Sequence, residues 1–400
     1  MTSAAPSSLS GSRFLSRKGW SVASHGVPAE NFAALIAAKN EWLKISTNVI
    51  EQEFNVNIAQ FDETNLAPIE LAKGITRAFL RYDNSVIAVG RNILRMLRSQ
   101  VEDQRSMQYC TLPYAIIHWP GDTSEKGPMH KDGYFYIRDF YTTWTPLNEN
   151  THEPLLINEY SHIRKGLLSR KLRLPSFAPS GVLVKPHIGL GDFIAWHGNT
   201  DHEGLLNTSK EVTVSLVFRF TSSPIMLEST QPCADLEHGK ISSGELDVAD
   251  FSRLTAKIFR QIEEENKNVS LAYTDITALC NSIQSSVESW KLNRVDQHKI
   301  AFVLALWAQR MENRRDVKLF YLYACIASAH VLYPVQQVMR NLLNNSPESN
   351  AMNFAKWTIR KYPYKQHEFV LHEEIYTKNR NGGNMHVHIP ENLPWVKWME

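Results

Sequence analysis

His130 and Asp132 stand two residues apart in Gly-Pro-Met-His-Lys-Asp-Gly-Tyr-Phe-Tyr, residues 127–136. On an extended strand, residues two apart project to the same side. An imidazole and a carboxylate on one side are two of the three donors of a two-His, one-carboxylate facial triad. That donor set leaves coordination positions open on Fe(II). The third donor should be a His from another strand. His118, His162, His187, His197 and His202 are available, with His202 the best candidate and His197 the runner-up. In a chain with 15 histidines an H-x-D triplet arises easily by chance, so its surroundings must decide.

Those surroundings are strand-rich. Short β-prone runs follow one another at Leu112–Trp119, Tyr134–Thr145, Pro154–Asn158, Gly181–Lys185, Asp192–Trp196 and Val212–Thr221, punctuated by Gly, Pro, Asn and Asp. Such spacing predicts a sandwich or barrel. Two helical regions precede it. Pro28–Gln52 carries Phe32, Leu35, Ile36, Trp42 and Leu43 at helical steps, and Glu70–Glu102 follows, broken near Asp83-Asn84-Ser85. After Pro224 the pattern turns helical again, with candidate helices at Leu254–Glu265, Ser270–Trp290, Asp296–Met311 and Val317–Tyr333. The division expected is a disordered tail over residues 1–12, a barrel domain over 13–225 and a mainly α-helical region over 226–400. The fold class is therefore α+β.

Composition removes several functions. Lys and Arg (43) nearly balance Asp and Glu (41), so the net charge of +2 provides no field for nucleic acid or a membrane surface. The basic insert Tyr160–Ser180 reads as a solvated loop. Cys110, Cys233, Cys280 and Cys325 are scattered, which argues against a zinc module and a disulfide framework. No apolar run is long enough to span a bilayer, and Met1–Ser12 lacks the apolar segment of a secretory signal. The expectation is a cytoplasmic protein with a small-molecule substrate. Homo-oligomerisation through the helical C-terminal region is one role open to that region.

The strongest pattern is Gly191-Asp-Phe-Ile-Ala-Trp-His197 followed by His202-Glu-Gly204-Leu-Leu-Asn207. With His130-Lys-Asp132, Thr143-Trp-Thr-Pro-Leu147 and the Ser161-His162 end of the run from Leu155, it resembles the phytanoyl-CoA hydroxylase-like family of Fe(II)/2-oxoglutarate dioxygenases. The similarity extends to oxygenases found beside carbohydrate and aminoglycoside biosynthesis genes, and covers roughly Phe14–Phe220. It implies a double-stranded β-helix (jelly-roll or cupin-like) with iron held by His130, Asp132 and His202, 2-oxoglutarate as cosubstrate and O2 as oxidant. Related halogenases lack the carboxylate, so Asp132 implies hydroxylation, desaturation or a related oxidation. Tyr134 and Trp144, with Tyr136 and Trp196, are candidates to line a substrate pocket.

One element of the family pattern is missing. The family grips the far carboxylate of 2-oxoglutarate with an Arg shortly after the distal His, because a planar guanidinium binds a carboxylate bidentately. Here Glu211, Val212 and Thr213 occupy those positions. Arg219 is the first substitute, since Thr213, Ser215, Val217 and Arg219 share one face of the strand, with Ser215 beside it. Arg138 is the second, and Lys131, which should face away from His130, the third. The gap keeps two alternatives open: a metal-dependent isomerase or lyase on a cupin-like barrel, and a non-catalytic interaction protein.

Overall fold

A computed structural model describes residues 18–24, 26, 28–100, 109–110, 114–122, 129–132, 140–148, 155–162, 181–221, 244–267 and 292–310. The expected helices Ser270–Trp290 and Val317–Tyr333, the basic insert beyond His162, and residues 133–139 with Tyr134, Tyr136 and Arg138 lie outside these. The chain divides into two compact units. The described residues of the first fall within 18–37 and 84–221, and those of the second within 38–83 and 244–310.

The first unit is built from antiparallel strands. They are β1 (Trp20–Ala23), β2 (Tyr109–Cys110), β3 (Tyr114–His118), β4 (Phe140–Pro146), β5 (Leu155–Asn158), β6 (Leu183–Val184), β7 (Phe193–His197), β8 (His202–Gly204) and β9 (Thr213–Thr221). One sheet runs β1-β7-β4-β9-β2, with β3 also paired to β9; the other runs β6-β5-β8. His130 extends the second sheet by a bridge to His202 in β8.

The expected turn at Gly191-Asp192 starts β7. Gly191 has φ +85°, a conformation that costs glycine little, and the Asp192 side chain accepts from Gly189 N at 2.9 Å. β7 then supplies Ile194 and Trp196 to one face and Phe193 and Ala195 to the other, and all four are buried. A strand buried on both faces reads as a continuous apolar run, as Phe-Ile-Ala-Trp does. Trp144, Leu155, Ile157, Ile188, Ile194, Trp196 and Val217 form one core cluster that includes residues of both sheets, with Trp20, Val22 and Ile116 against it. Asn148 ties the end of β4 to β9: its Oδ1 accepts from Val214 N at 2.7 Å and its Nδ2 donates to Val212 O at 3.1 Å.

Helices follow where periodicity predicts them. α1 is Ala29–Phe54, α2 Leu66–Arg81, α3 Asn84–Gln100, α4 Val248–Lys267 and α5 Arg294–Arg310. The break expected near Asp83 separates α2 from α3. In the second unit α2 packs against α4 and α5. Its residues from Pro68 to Arg81 are all buried, including Glu70, Lys73, Arg77 and Arg81. Those charges are matched locally: Lys73 Nζ lies 2.9 Å from Glu70 Oε1, and the Arg81 guanidinium covers the Phe302 ring at 4.8 Å. Gly74 allows the close approach of α5, because a Cβ there would meet Val303 Cγ1 at 2.9 Å.

Lys299 on α5 has no exposed side-chain surface. Its ammonium lies 4.0 Å from the centroid of the Phe79 ring and 3.7 Å from Asp296 Oδ1. Burial pushes it down to about 8, against the opposing pull of Asp296. Between about pH 8 and its ordinary 10.5 the unfolded chain holds a proton at this residue that the folded chain has released. Stability therefore rises with pH across that window and is lost as pH falls through 8. We predict that denaturant unfolding of the wild type, relative to Lys299→Met, gains up to roughly 3 kcal/mol from pH 8 to 10.5. A pH-independent difference between the two proteins would contradict this.

Candidate metal centre

Two backbone hydrogen bonds place the first and third candidate donors. His130 N donates to His202 O and His202 N to His130 O, each at 2.9 Å. Residues opposed in this way project side chains to the same face. The two imidazole centroids are accordingly 4.4 Å apart. Asp132, two residues further, returns to that face. Its Oδ1 lies 3.7 Å from His130 Nε2 and its Oδ2 3.5 Å from His202 Nε2. One donor atom from each of the three residues lies within 4.8 Å of the others, the arrangement needed to hold a metal ion. Neighbouring donors around an octahedral ion with bonds of about 2.1 Å are about 3 Å apart, so a small contraction closes the triad on a divalent cation.

The electrostatics suit the same role. The Asp132 side chain is buried, with 6% of its surface exposed. Burial opposes its ionisation, yet Arg219, the His130 and Thr142 hydrogen bonds and the His202 ring outweigh it and hold the carboxyl well below the usual range. Thr142 Oγ1 donates to Asp132 Oδ2 at 2.8 Å, and Arg219 donates to Oδ1 at 3.3 Å. Burial pushes the His202 imidazole down, toward the neutral form that a metal needs. Its Nδ1 is 3.1 Å from Thr200 O. A carbonyl can only accept, so that contact puts a proton on Nδ1 and turns Nε2 toward Asp132. Arg219 makes the largest favourable contribution to the Asp132 carboxylate.

The other candidates fall at defined places. Lys131 points away from the triad, as alternation requires; its Nζ donates to Ser161 O at 3.0 Å and lies 3.6 Å from Asp201 Oδ1. His197, next to Trp196 on β7, faces the opposite side: its Nδ1 accepts from Asn199 N, and its ring packs on Tyr141 and His162. His187 is exposed, and His118 pairs with Thr213 across β3 and β9. Trp144 lies in the core cluster, 6% exposed. Ser215 is buried opposite Pro146 and Ile116. Asn207, at the family offset from His202, organises its loop by donating to His118 O and Glu211 O.

Two contributors were not singled out in the sequence, and a third, Trp196, was expected only to line a substrate pocket. Thr142 and the Thr200 carbonyl orient the ligands, and the Trp196 ring lies 4.8 Å from the His202 ring. Alternation in Thr-Thr-Trp-Thr marks Thr142 as facing the same way as Trp144. Nothing in the sequence marks a backbone carbonyl.

No family model matches this chain, and no curated protein matches its sequence. Several solved structures resemble part of it. One is SnoK, a non-haem α-ketoglutarate-dependent carbocyclase from nogalamycin biosynthesis, at 17% identity, covering 54% of this chain and 84% of that one, TM-score 0.36. A prolyl-4-hydroxylase from Pseudomonas putida matches at 15% identity, covering 55% and 98%, TM-score 0.32. EctD from S. alaskensis, solved with 2-oxoglutarate and 5-hydroxyectoine, matches at 19% identity, covering 55% and 78%, TM-score 0.32. The chemistry below rests on the His130–Asp132–His202 geometry.

Residues that orient a metal ligand typically change metal affinity 10- to 100-fold when removed. Thr142→Val should therefore weaken Fe(II) or Mn(II) binding by about tenfold or more, with an unchanged thermal midpoint for the metal-free protein. His130→Ala and His202→Ala should lose more. Anaerobic calorimetry measures all three, and equal affinity in Thr142→Val would remove Thr142 from the site.

Proposed function

We propose that this protein is a non-haem Fe(II)- and 2-oxoglutarate-dependent oxygenase that oxidises an unactivated C–H of a small metabolite. Carbohydrate or natural-product intermediates are the substrate class that the sequence resemblance favours. The observation that carries the proposal is the convergence of His130, Asp132 and His202 across one strand bridge. When bound there, iron with 2-oxoglutarate supplies O2-driven oxidation. The chain's own part is to hold three donors on one side, keep Asp132 anionic and His202 neutral, and surround them with the Trp196 ring and core residues that limit water.

The sheet orders support reading the first unit as a double-stranded β-helix. β7, β4, β9 and β3 neighbour one another in one sheet, and β6, β5, β8 and the His130 segment do so in the other. From β4 to β9 the chain passes repeatedly between the sheets, with β4, β7 and β9 in one and β5, β6 and β8 in the other. Arg219 is the candidate for the acidic cosubstrate because its guanidinium already lies beside Asp132.

A second reading is favoured by one observation: Thr213 stands where the usual arginine would be. A mononuclear metal isomerase or lyase would need the triad without that cation. Anaerobic titration of the full chain with Fe(II) and 2-oxoglutarate separates the two. A weak visible charge-transfer band that appears only with both ligands is expected for the oxygenase. Iron binding with no band on adding 2-oxoglutarate would favour the isomerase or lyase, and no iron binding would leave an interaction protein.

A further inference from the structure

The register of three strands aligns three side chains beside the metal donors. Thr142 on β4 lies opposite Trp196 on β7 and opposite Arg219 on β9. Directly opposed residues share a face, so these form one rung across the sheet. It is the rung nearest the triad: Thr142 and Arg219 contact Asp132, and the Trp196 ring is 4.8 Å from the His202 ring. All three side chains are hydrogen-bond donors, and the indole has no acceptor capacity.

Two of the three have an acceptor in Asp132. The third does not: Trp196 is 2% exposed, and its Nε1–H has no hydrogen-bond partner among the described residues. A buried indole N–H normally finds a partner, and leaving it unpaired is unfavourable. Phe at this position would fill most of the same space without that penalty. The next rung inward is Ile194–Trp144–Val217, in the core cluster, with the Trp144 indole N–H as its one side-chain donor. Thr213 lies about 20 Å along β9 from Arg219, by strand rise over six residues. Among the described residues of β4, β7 and β9, the first rung therefore holds the charged donor beside the metal site and the indole N–H without an acceptor.

We propose that the Trp196 indole N–H donates to a carboxylate oxygen of the small acid bound beside the metal, with Arg219 on the same rung supplying the charge. This pair takes over anchoring that the chain lacks at Thr213. The inference rests on the oxygenase reading in that the acid is taken to be 2-oxoglutarate.

The test is anaerobic calorimetry on the Fe(II)-loaded full chain, wild type against Trp196→Phe, with 2-oxoglutarate as titrant. Loss of one hydrogen bond to a charged group should weaken 2-oxoglutarate about tenfold or more. Fe(II) affinity and the melting temperature of the metal-free protein should not fall. Equal 2-oxoglutarate affinity in the two proteins would overturn the role of Trp196 and leave the oxygenase reading intact. Absence of 2-oxoglutarate binding by the wild type would overturn both. Should the variant not fold, the wild type gives a second readout. On adding 2-oxoglutarate to Zn(II)-loaded protein carrying 15N-labelled tryptophan, a slowly exchanging indole N–H resonance should move downfield. Movement of none would overturn the proposal.

Discussion

The pair of backbone hydrogen bonds between His130 and His202 sets the register on which the candidate site depends. A slip of one residue would put Lys131 or Glu203 into the position of a ligand and turn an imidazole to the other face. Lys131 reinforces the register from outside, through Ser161 O and Asp201, the residue before His202. The bridge thus does for the backbone what a metal would do for the side chains.

That convergence has an electrostatic cost which the surrounding strands offset. A buried carboxylate beside two imidazoles is stable as an anion only if donors surround it. β4 supplies the Thr142 hydroxyl and β9 the Arg219 guanidinium from one rung, while the Thr200 carbonyl fixes the His202 proton on the far nitrogen. The result is two imidazoles and a charged carboxylate facing one point. Its inward neighbour is a rung of Ile194, Trp144 and Val217 in the core cluster.

The local part of this was legible in the sequence. The two-residue spacing of His130 and Asp132, the turn at Gly191-Asp192 and the common face of Ser215, Val217 and Arg219 all follow from strand period or turn chemistry. Helices α1 to α5 lie close to where apolar periodicity puts them. Partnerships between distant segments were not legible. That Thr142 meets Asp132 depends on how β4 lies against the segment carrying His130 and Asp132, which no local pattern encodes. Arg219 was identified as an inward cation, but its partner was not. In α2, Glu70, Lys73, Arg77 and Arg81 read by type as a solvated face. Their burial follows from packing against α4 and α5, and Lys299 over Phe79 is of the same kind. Trp144 and Trp196, alike in the sequence as pocket candidates, differ in the fold. Trp144 lies between Ile194 and Val217, and Trp196 lies on the rung of Thr142 and Arg219 that meets Asp132.

The most direct measurement is anomalous diffraction at the iron edge from crystals of the full chain grown anaerobically with Fe(II). The account predicts a single strong peak within bonding distance, about 2.1 Å, of His130, Asp132 and His202 together. A peak at other residues, or none at these three in a crystal that contains iron, would contradict it.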